Sequence, residues 1–135
     1  YRLAAIGSIR DTAMEYEDVA HFAAGYLLDA YPERLMHRFA LDDLPAGALE
    51  LLDAIGKRRG CLNKRGVIDY DRVSKILLTE LRNGKLGRVT LETPTMIESE
   101  LVELAALQTE KQEQKVRRTQ ERKQRFRQRQ KKRDA

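Results

Sequence analysis

The sequence is short of the residues on which most enzymes and secreted scaffolds depend. Its 135 residues hold one cysteine, no tryptophan, two histidines and three prolines. One thiol excludes an intrachain disulfide framework and agrees with a reducing compartment. No apolar run nears the roughly 20 residues of a membrane-spanning helix, and no charged-then-apolar leader reads as a secretion signal. The chain starts at Tyr1 rather than Met and is expected to be part of a longer protein.

Catalytic chemistry is equally scarce. His21 and His37 lie far apart without a cysteine pair, which is not the spacing of a metal site. Cys61 has no histidine at motif spacing and reads as a small buried residue behind a helix cap. Lys57, Arg58 and Arg59 are the one cationic setting that could activate it as a nucleophile. The phosphate-cradling G-x-x-x-x-G-K-[ST] loop is missing. Asn63-Lys64-Arg65-Gly66 shares two residues with a guanine-reading Asn-Lys-x-Asp but lacks its carboxylate, and Asp53-Ala54-Ile55-Gly56 falls inside a helical period. The chain is therefore expected to hold no cofactor and to catalyse nothing by itself.

What it does have is charge, unevenly placed. Lys and Arg total 26 against 21 Asp and Glu, net +5. Residues 111–135 carry 12 basic and three acidic groups, net +9, against net −4 for residues 1–110. Within the body, residues 57–88 sum to +7 between acidic stretches of −6 and −5. A body near neutrality with one internal cationic block and a cationic tail points to a polyanionic partner.

The apolar pattern is helical. Val19, Phe22, Ala23, Tyr26, Leu27 and Ala30 make the first stripe, with Thr12 and Glu15 as an expected capping box. Pro32 starts a short helix to Phe39. A third spans about Ala46 to Arg59 with Ala48, Leu51, Leu52 and Ile55 inward, Gly56 weakening it and Gly60 as a left-handed cap. Asp69 caps a fourth through about Asn83, where Ile68 staples onto Val73, and Gly84 ends it. Lys85 to Glu92 alternates like an extended segment or an ordered arm, which Pro94 closes. Ile97, Leu101, Leu104 and Ala105 then form an amphipathic helix over Met96–Leu107 that leads into the tail. The tail has too little apolar surface to order alone and is expected to fray or be disordered when free. The fold class is all-α: a small bundle of four to five helices with a basic tail, helical or disordered.

Several segments, taken in order, resemble the C-terminal region of the circularly permuted GTPases of the ribosome biogenesis GTPase A (YlqF) type. They are Leu3-Ala4-Ala5-Ile6-Gly7-Ser8-Ile9-Arg10-Asp11, Glu17-Asp18-Val19-Ala20, Tyr31-Pro32-Glu33-Arg34-Leu35, Ile55-Gly56-Lys57-Arg58-Arg59-Gly60-Cys61-Leu62, Gly66-Val67-Ile68-Asp69 and Gly84-Lys85-Leu86-Gly87-Arg88-Val89-Thr90-Leu91-Glu92. The resemblance implies that residues 1–14 are the trailing edge of an upstream GTPase domain, 15–94 a helical RNA-binding domain and 95–135 an amphipathic helix running into a basic tail. It implies a parent GTPase that takes GTP and Mg upstream of Tyr1, acts in late large-subunit assembly, and is cytoplasmic and ribosome-associated. The implied partners are rRNA, the large ribosomal subunit precursor and the GTPase domain in cis, with no membrane. Arg65 stands where the family commonly has a second glycine, and the tail is longer and more basic than the pattern.

Candidate RNA-binding residues follow from the charge map: Lys57, Arg58, Arg59, Lys64 and Arg65 on a helix end and loop, Arg72, Lys75, Arg82, Lys85 and Arg88 on or after the next helix, and Arg117, Arg118, Arg122 and Lys123 in the tail. Arg72, Lys75 and Arg82 are expected opposite Val73, Ile76 and Leu77, and Tyr70 and Phe126 are the sparse base-stacking candidates. Any one of these cations also fits a solvated helix face, and the tail also fits a solvated extension or a ligand for an acidic protein. The rival reading of the whole chain is a helical protein-interaction adaptor with a basic localisation tail.

Overall fold

A computed structural model describes residues 1–133, with Asp11 and residues 131–133 described through the backbone alone. Its helices are α1 (Arg2–Ala5), α2 (Tyr16–Ala30), α3 (Pro32–Phe39), α4 (Ala48–Arg59), α5 (Tyr70–Arg82) and α6 (Pro94–Arg133), with a 3-10 turn over Asp11–Ala13. The fold is all-α. Six helices exceed the expected four to five, the addition being the single-turn α1. No strand forms among the described residues, and the only β pairing there is an isolated antiparallel bridge between Leu62 and Ile68. The chain divides into two units, Tyr1–Leu91 and the segment from Glu92 onward.

In the first unit α2 is the central element, packing on α1, α3, α4 and α5. Its inner stripe is mostly small: Ala20, Ala23 and Ala24 are fully buried beside Val19 and Leu27. Small side chains let the neighbouring helices come close. Leu35 and Phe39 from α3, Leu51, Leu52 and Ile55 from α4, and Val73, Leu77 and Leu78 from α5 complete the apolar core. Cys61 joins them as a fully buried free thiol.

Gly56 explains how α4 meets α5. A Cβ there would lie 2.9 Å from Val73 Cγ2 and 3.1 Å from Ile68 Cδ1, so the residue that weakens the helix in the sequence is the one that lets α4 close on α5. Ile68 and Val73 converge on this point, as the staple requires. Asp69 caps α5 as read, its Oδ1 accepting from the Arg72 N–H at 3.2 Å. At the other end Lys85 N–H donates to the Glu80 carbonyl at 2.9 Å and Gly84 N–H to that of Leu81 at 3.2 Å, with Gly84 at φ 69°. This is a Schellman closure.

Three expectations are corrected and one open alternative is decided. The Thr12–Glu15 capping box does not form: Thr12 is held in the 3-10 turn, and Glu15 becomes the N-cap of α2 without a side-chain bond. α4 starts at Ala48 rather than Ala46, after an extended Gly47. Of the two readings of Lys85–Glu92, extended segment or ordered arm, the structure shows the ordered arm. Leu86 and Leu91 are buried, and Thr90 is held by the hydroxyls of Tyr26, donating to its carbonyl at 2.7 Å, and Tyr31, accepting from its N–H at 3.0 Å. Pro94 opens α6 instead of only closing the arm.

In the second unit α6 begins with Thr93 Oγ1 accepting from Met96 N–H at 3.3 Å. It runs as one helix through Arg133, where the composition argued for fraying. Its Gln, Glu, Lys and Arg are good helix formers uninterrupted by Gly. Pairs such as Arg117–Glu121 at 3.2 Å support it at i,i+4 spacing. Ile97, Leu101, Val102, Leu104 and Leu107 are exposed along its first half. No helix among the described residues is long and apolar enough to cross a membrane.

Gly56→Ala tests the α4–α5 contact. Helix propensity alone makes Gly→Ala favourable by up to about 1 kcal/mol. Here overpacking against Val73 and Ile68 reverses the sign and lowers stability by about 1–3 kcal/mol in urea unfolding. A stabilised variant contradicts the close packing.

Candidate nucleic-acid interface

The structure sorts the predicted cations into those engaged within the fold and those presented to solvent. Glu80 of α5, whose side chain is 12% exposed, is the principal sink. Its Oε2 and Oε1 accept from Arg38 Nε and Nη2 at 2.8 and 3.0 Å, and Oε1 accepts again from Arg59 Nη2 at 2.8 Å. The bond to Glu80 raises the pKa of the Arg38 guanidinium. Arg59 also lies over the Phe39 ring, 5.6 Å from its centroid, and Arg58 pairs with Asp42 at 2.8 Å on the surface. One carboxylate thus draws the ends of α3, α4 and α5 together.

Lys75 and Arg82 point elsewhere. They stand seven residues apart, about two turns, on one flank of α5. Lys75 pairs with Asp71 at 2.6 Å, a bond that raises its pKa, and sits 5.3 Å from the Tyr16 ring. Arg82 donates from Nη2 and Nε to the carbonyls of Ala4 and Ala5 at 2.9 and 3.1 Å, closing the C-terminal end of α1. The expected common cationic face of Arg72, Lys75 and Arg82 is therefore largely spent on holding α1 and α2. Arg72 keeps an exposed side chain without such a bond.

Lys64 and Arg65 occupy the tip of a short hairpin between α4 and α5. Asn63 builds it: its N–H donates to Val67 O at 2.8 Å, and its Oδ1 accepts from Arg65 N–H and Val67 N–H at 2.8 and 3.1 Å. Gly66 takes the left-handed position at φ 75°, the three-residue loop with a bulge. Arg65 has no positive φ, so the family's second glycine is not needed here. This also accounts for Asn63-Lys64 without a nucleotide: the asparagine is a turn residue.

Lys57, Lys64, Arg65, Lys85 and Arg88 are exposed, and their side chains make no hydrogen bond or ion pair among the described residues. Sequence reasoning missed Arg34, His37 and Arg38 on α3, which line a groove with Lys85 and Arg88. The signal was available, since 34, 37 and 38 share one helical face. Tyr70 is not a free stacking platform, because its ring is partly buried against the core and its hydroxyl donates to Asp53 Oδ1 at 2.6 Å. Phe126 is 61% exposed on α6, which also displays Arg117, Arg118, Arg122 and Lys123. Among the described residues, no three His, Cys, Asp or Glu are placed to hold a metal.

Comparison with known proteins decides the family. The chain is 50% identical over 93 residues to Ribosome biogenesis GTPase A of Bacillus cereus, covering 69% of this chain and 31% of that protein. It is 43% identical over 101 residues to the protein of the same name in Priestia megaterium, covering 75% and 35%. Against the Bacillus pumilus protein of that name it is 43% identical over 93 residues, covering 69% and 33%. The chain belongs to the ribosome biogenesis GTPase A family. It spans about a third of the length of these relatives and corresponds to their C-terminal part. No protein-family model matches it.

The Tyr70–Asp53 bond gives this chain a pH signature. The bond, more than burial, raises the Tyr70 pKa above its usual 10.0, so its stabilisation is full below pH 10 and is lost as pH rises through the raised value. Tyr70→Phe is expected to be less stable than the parent chain at pH 7, with a gap in urea titrations that narrows as pH rises above 10. A gap unchanged with pH contradicts the assignment.

Proposed function

We propose that this chain is the RNA-binding domain of a ribosome-assembly GTPase acting in late assembly of the large (50S) subunit, with GTP binding, Mg and hydrolysis residing in a domain outside it. The observation that carries the reading is the set of presented cations: Lys57 at the end of α4, Lys64 and Arg65 at the hairpin tip, and Lys85 and Arg88 in the arm. Unpaired like charges repel, and an extended polyanion relieves that repulsion while releasing its condensed counterions. The relatives' name, Ribosome biogenesis GTPase A, supports ribosomal RNA as the polyanion.

The mode of recognition is phosphate and shape. The hydroxyls of Tyr26, Tyr31 and Tyr70 are hydrogen-bonded inside the fold and Tyr1 stacks on Phe22. Few rings are left to take unstacked bases, whereas lysine and arginine reach phosphates directly. The tail, with its exposed cations on α6, adds a second, sequence-independent contact. RNA held on this surface reports to the GTPase through α1, which Arg82 bolts to α5.

The adaptor reading has one observation in its favour, the exposed Leu101, Val102, Leu104 and Leu107 on the first half of α6. Mobility shifts with large-subunit rRNA fragments separate the two. Lys57→Glu combined with Lys64→Glu and Arg65→Glu is expected to weaken binding at least about tenfold and to reduce the log–log salt slope by about 2–3. Removing residues 111–135 is expected to weaken binding and flatten its salt dependence further. Binding unchanged in both variants removes these cations and the tail from the mechanism and favours the adaptor; no binding by the unsubstituted chain excludes RNA as the partner.

A further inference from the structure

A groove runs between α3 and the arm that follows α5, and its lining includes Glu33, Arg34, His37, Arg38, Lys85 and Arg88. Four permanent cations face one lining carboxylate. Two of the four are immobilised before any ligand arrives. Arg34 donates through Nη1 to the carbonyls of Leu86, at 3.3 Å, and Arg88, and its guanidinium lies 5.2 Å from the centroid of Tyr31. Gly87 makes this crossing possible: at φ 80°, a Cβ there would lie 2.8 Å from that Nη1. Arg38 is fixed through Nε and Nη2 by Glu80.

A guanidinium has five N–H donors, so each fixed arginine keeps donors to spare: Nε and Nη2 on Arg34, Nη1 on Arg38. The side chains of Lys85 and Arg88 are exposed beside them without partners. Donors already ordered by the fold bind an anion without the usual loss of side-chain entropy. Planar guanidinium forks match phosphate oxygens in pairs.

We infer that the groove holds the phosphodiester backbone of one RNA strand, with Arg34 and Arg38 as fixed donors and Lys85 and Arg88 closing over it. This rests on the RNA-binding reading and names the strand's seat. Arg34, His37, Lys85 and Arg88 are all exposed, so the seat is shallow. A lone phosphate ion keeps its water there, while a strand already held at the hairpin is delivered at high effective concentration.

The test uses the full chain and the rRNA fragments above. Lys85→Gln with Arg88→Gln removes two cations that make no side-chain bond, so the fold is kept. This double variant is expected to bind about tenfold or more weakly, with a salt slope lowered by about 1.5–2. Arg34→Lys keeps the charge but loses the fork and is expected to bind about fivefold more weakly, with its melting checked by circular dichroism. Arg10→Gln, an exposed cation outside the groove, is expected to change affinity less than about twofold. Unchanged binding by the double variant overturns the groove and leaves the RNA reading standing; equal losses for the double variant and Arg10→Gln overturn it in favour of diffuse charge. Displacement of RNA by millimolar inorganic phosphate replaces the strand with a free phosphate ligand. No binding by the unsubstituted chain overturns groove and reading together.

Discussion

The cationic surface depends on one largely shielded carboxylate. Glu80 holds Arg38 and Arg59 from two different helices within 3.0 Å of its oxygens. Without it, two guanidiniums at the junction of α3, α4 and α5 face each other without a counter-charge, and the ends of those helices lose their common tie. With it, each arginine is a fixed donor with unused N–H groups, and the backbone beyond Glu80 turns so that Lys85 leaves the helix at a defined place. The same carboxylate that lowers the net charge therefore makes the remaining charge directional.

The bundle beneath depends on small residues where helices cross. Ala20, Ala23 and Ala24 on α2 and Gly56 on α4 remove the side chains that would hold the helices apart. These residues let the helices pack closely, and the arginines and lysines stand on the ends and outer faces of short elements around them. On the proposed reading, the fold's task is to place charge at fixed separations, and it needs neither a deep cavity nor a catalytic group to do so.

Much of the helical pattern was legible in the sequence because it rests on local signals. The i, i+3, i+4 stripes, Asp69 as an N-cap, and Gly60 and Gly84 as left-handed caps need only neighbours in the chain, and the resemblance carried by the segments between Leu3 and Glu92 pointed to the right family. What was not legible depends on long-range partners. Thr12 and Glu15 have the spacing of a capping box, yet a 3-10 turn takes Thr12 first. The alternation over Lys85–Glu92 left an extended segment and an ordered arm both open, and long-range partners decide for the arm: tyrosine hydroxyls from α2 and the α2–α3 junction, rather than another strand, hold the Thr90 backbone. The candidate site was legible as a total and not as a partition: charge counting could not tell that Arg82 would close α1, that Arg59 would share Glu80 with Arg38, or that Arg34 and Arg38 would join Lys85 and Arg88.

That partition is the account's central claim, and lysine reactivity reads it residue by residue. Acetylation of the full chain, with and without large-subunit rRNA, should show Lys57, Lys64 and Lys85 protected by RNA, and Lys75, paired with Asp71 over Tyr16, with unchanged reactivity. Protection of Lys75 equal to that of the other three, or protection of none of them, would contradict it.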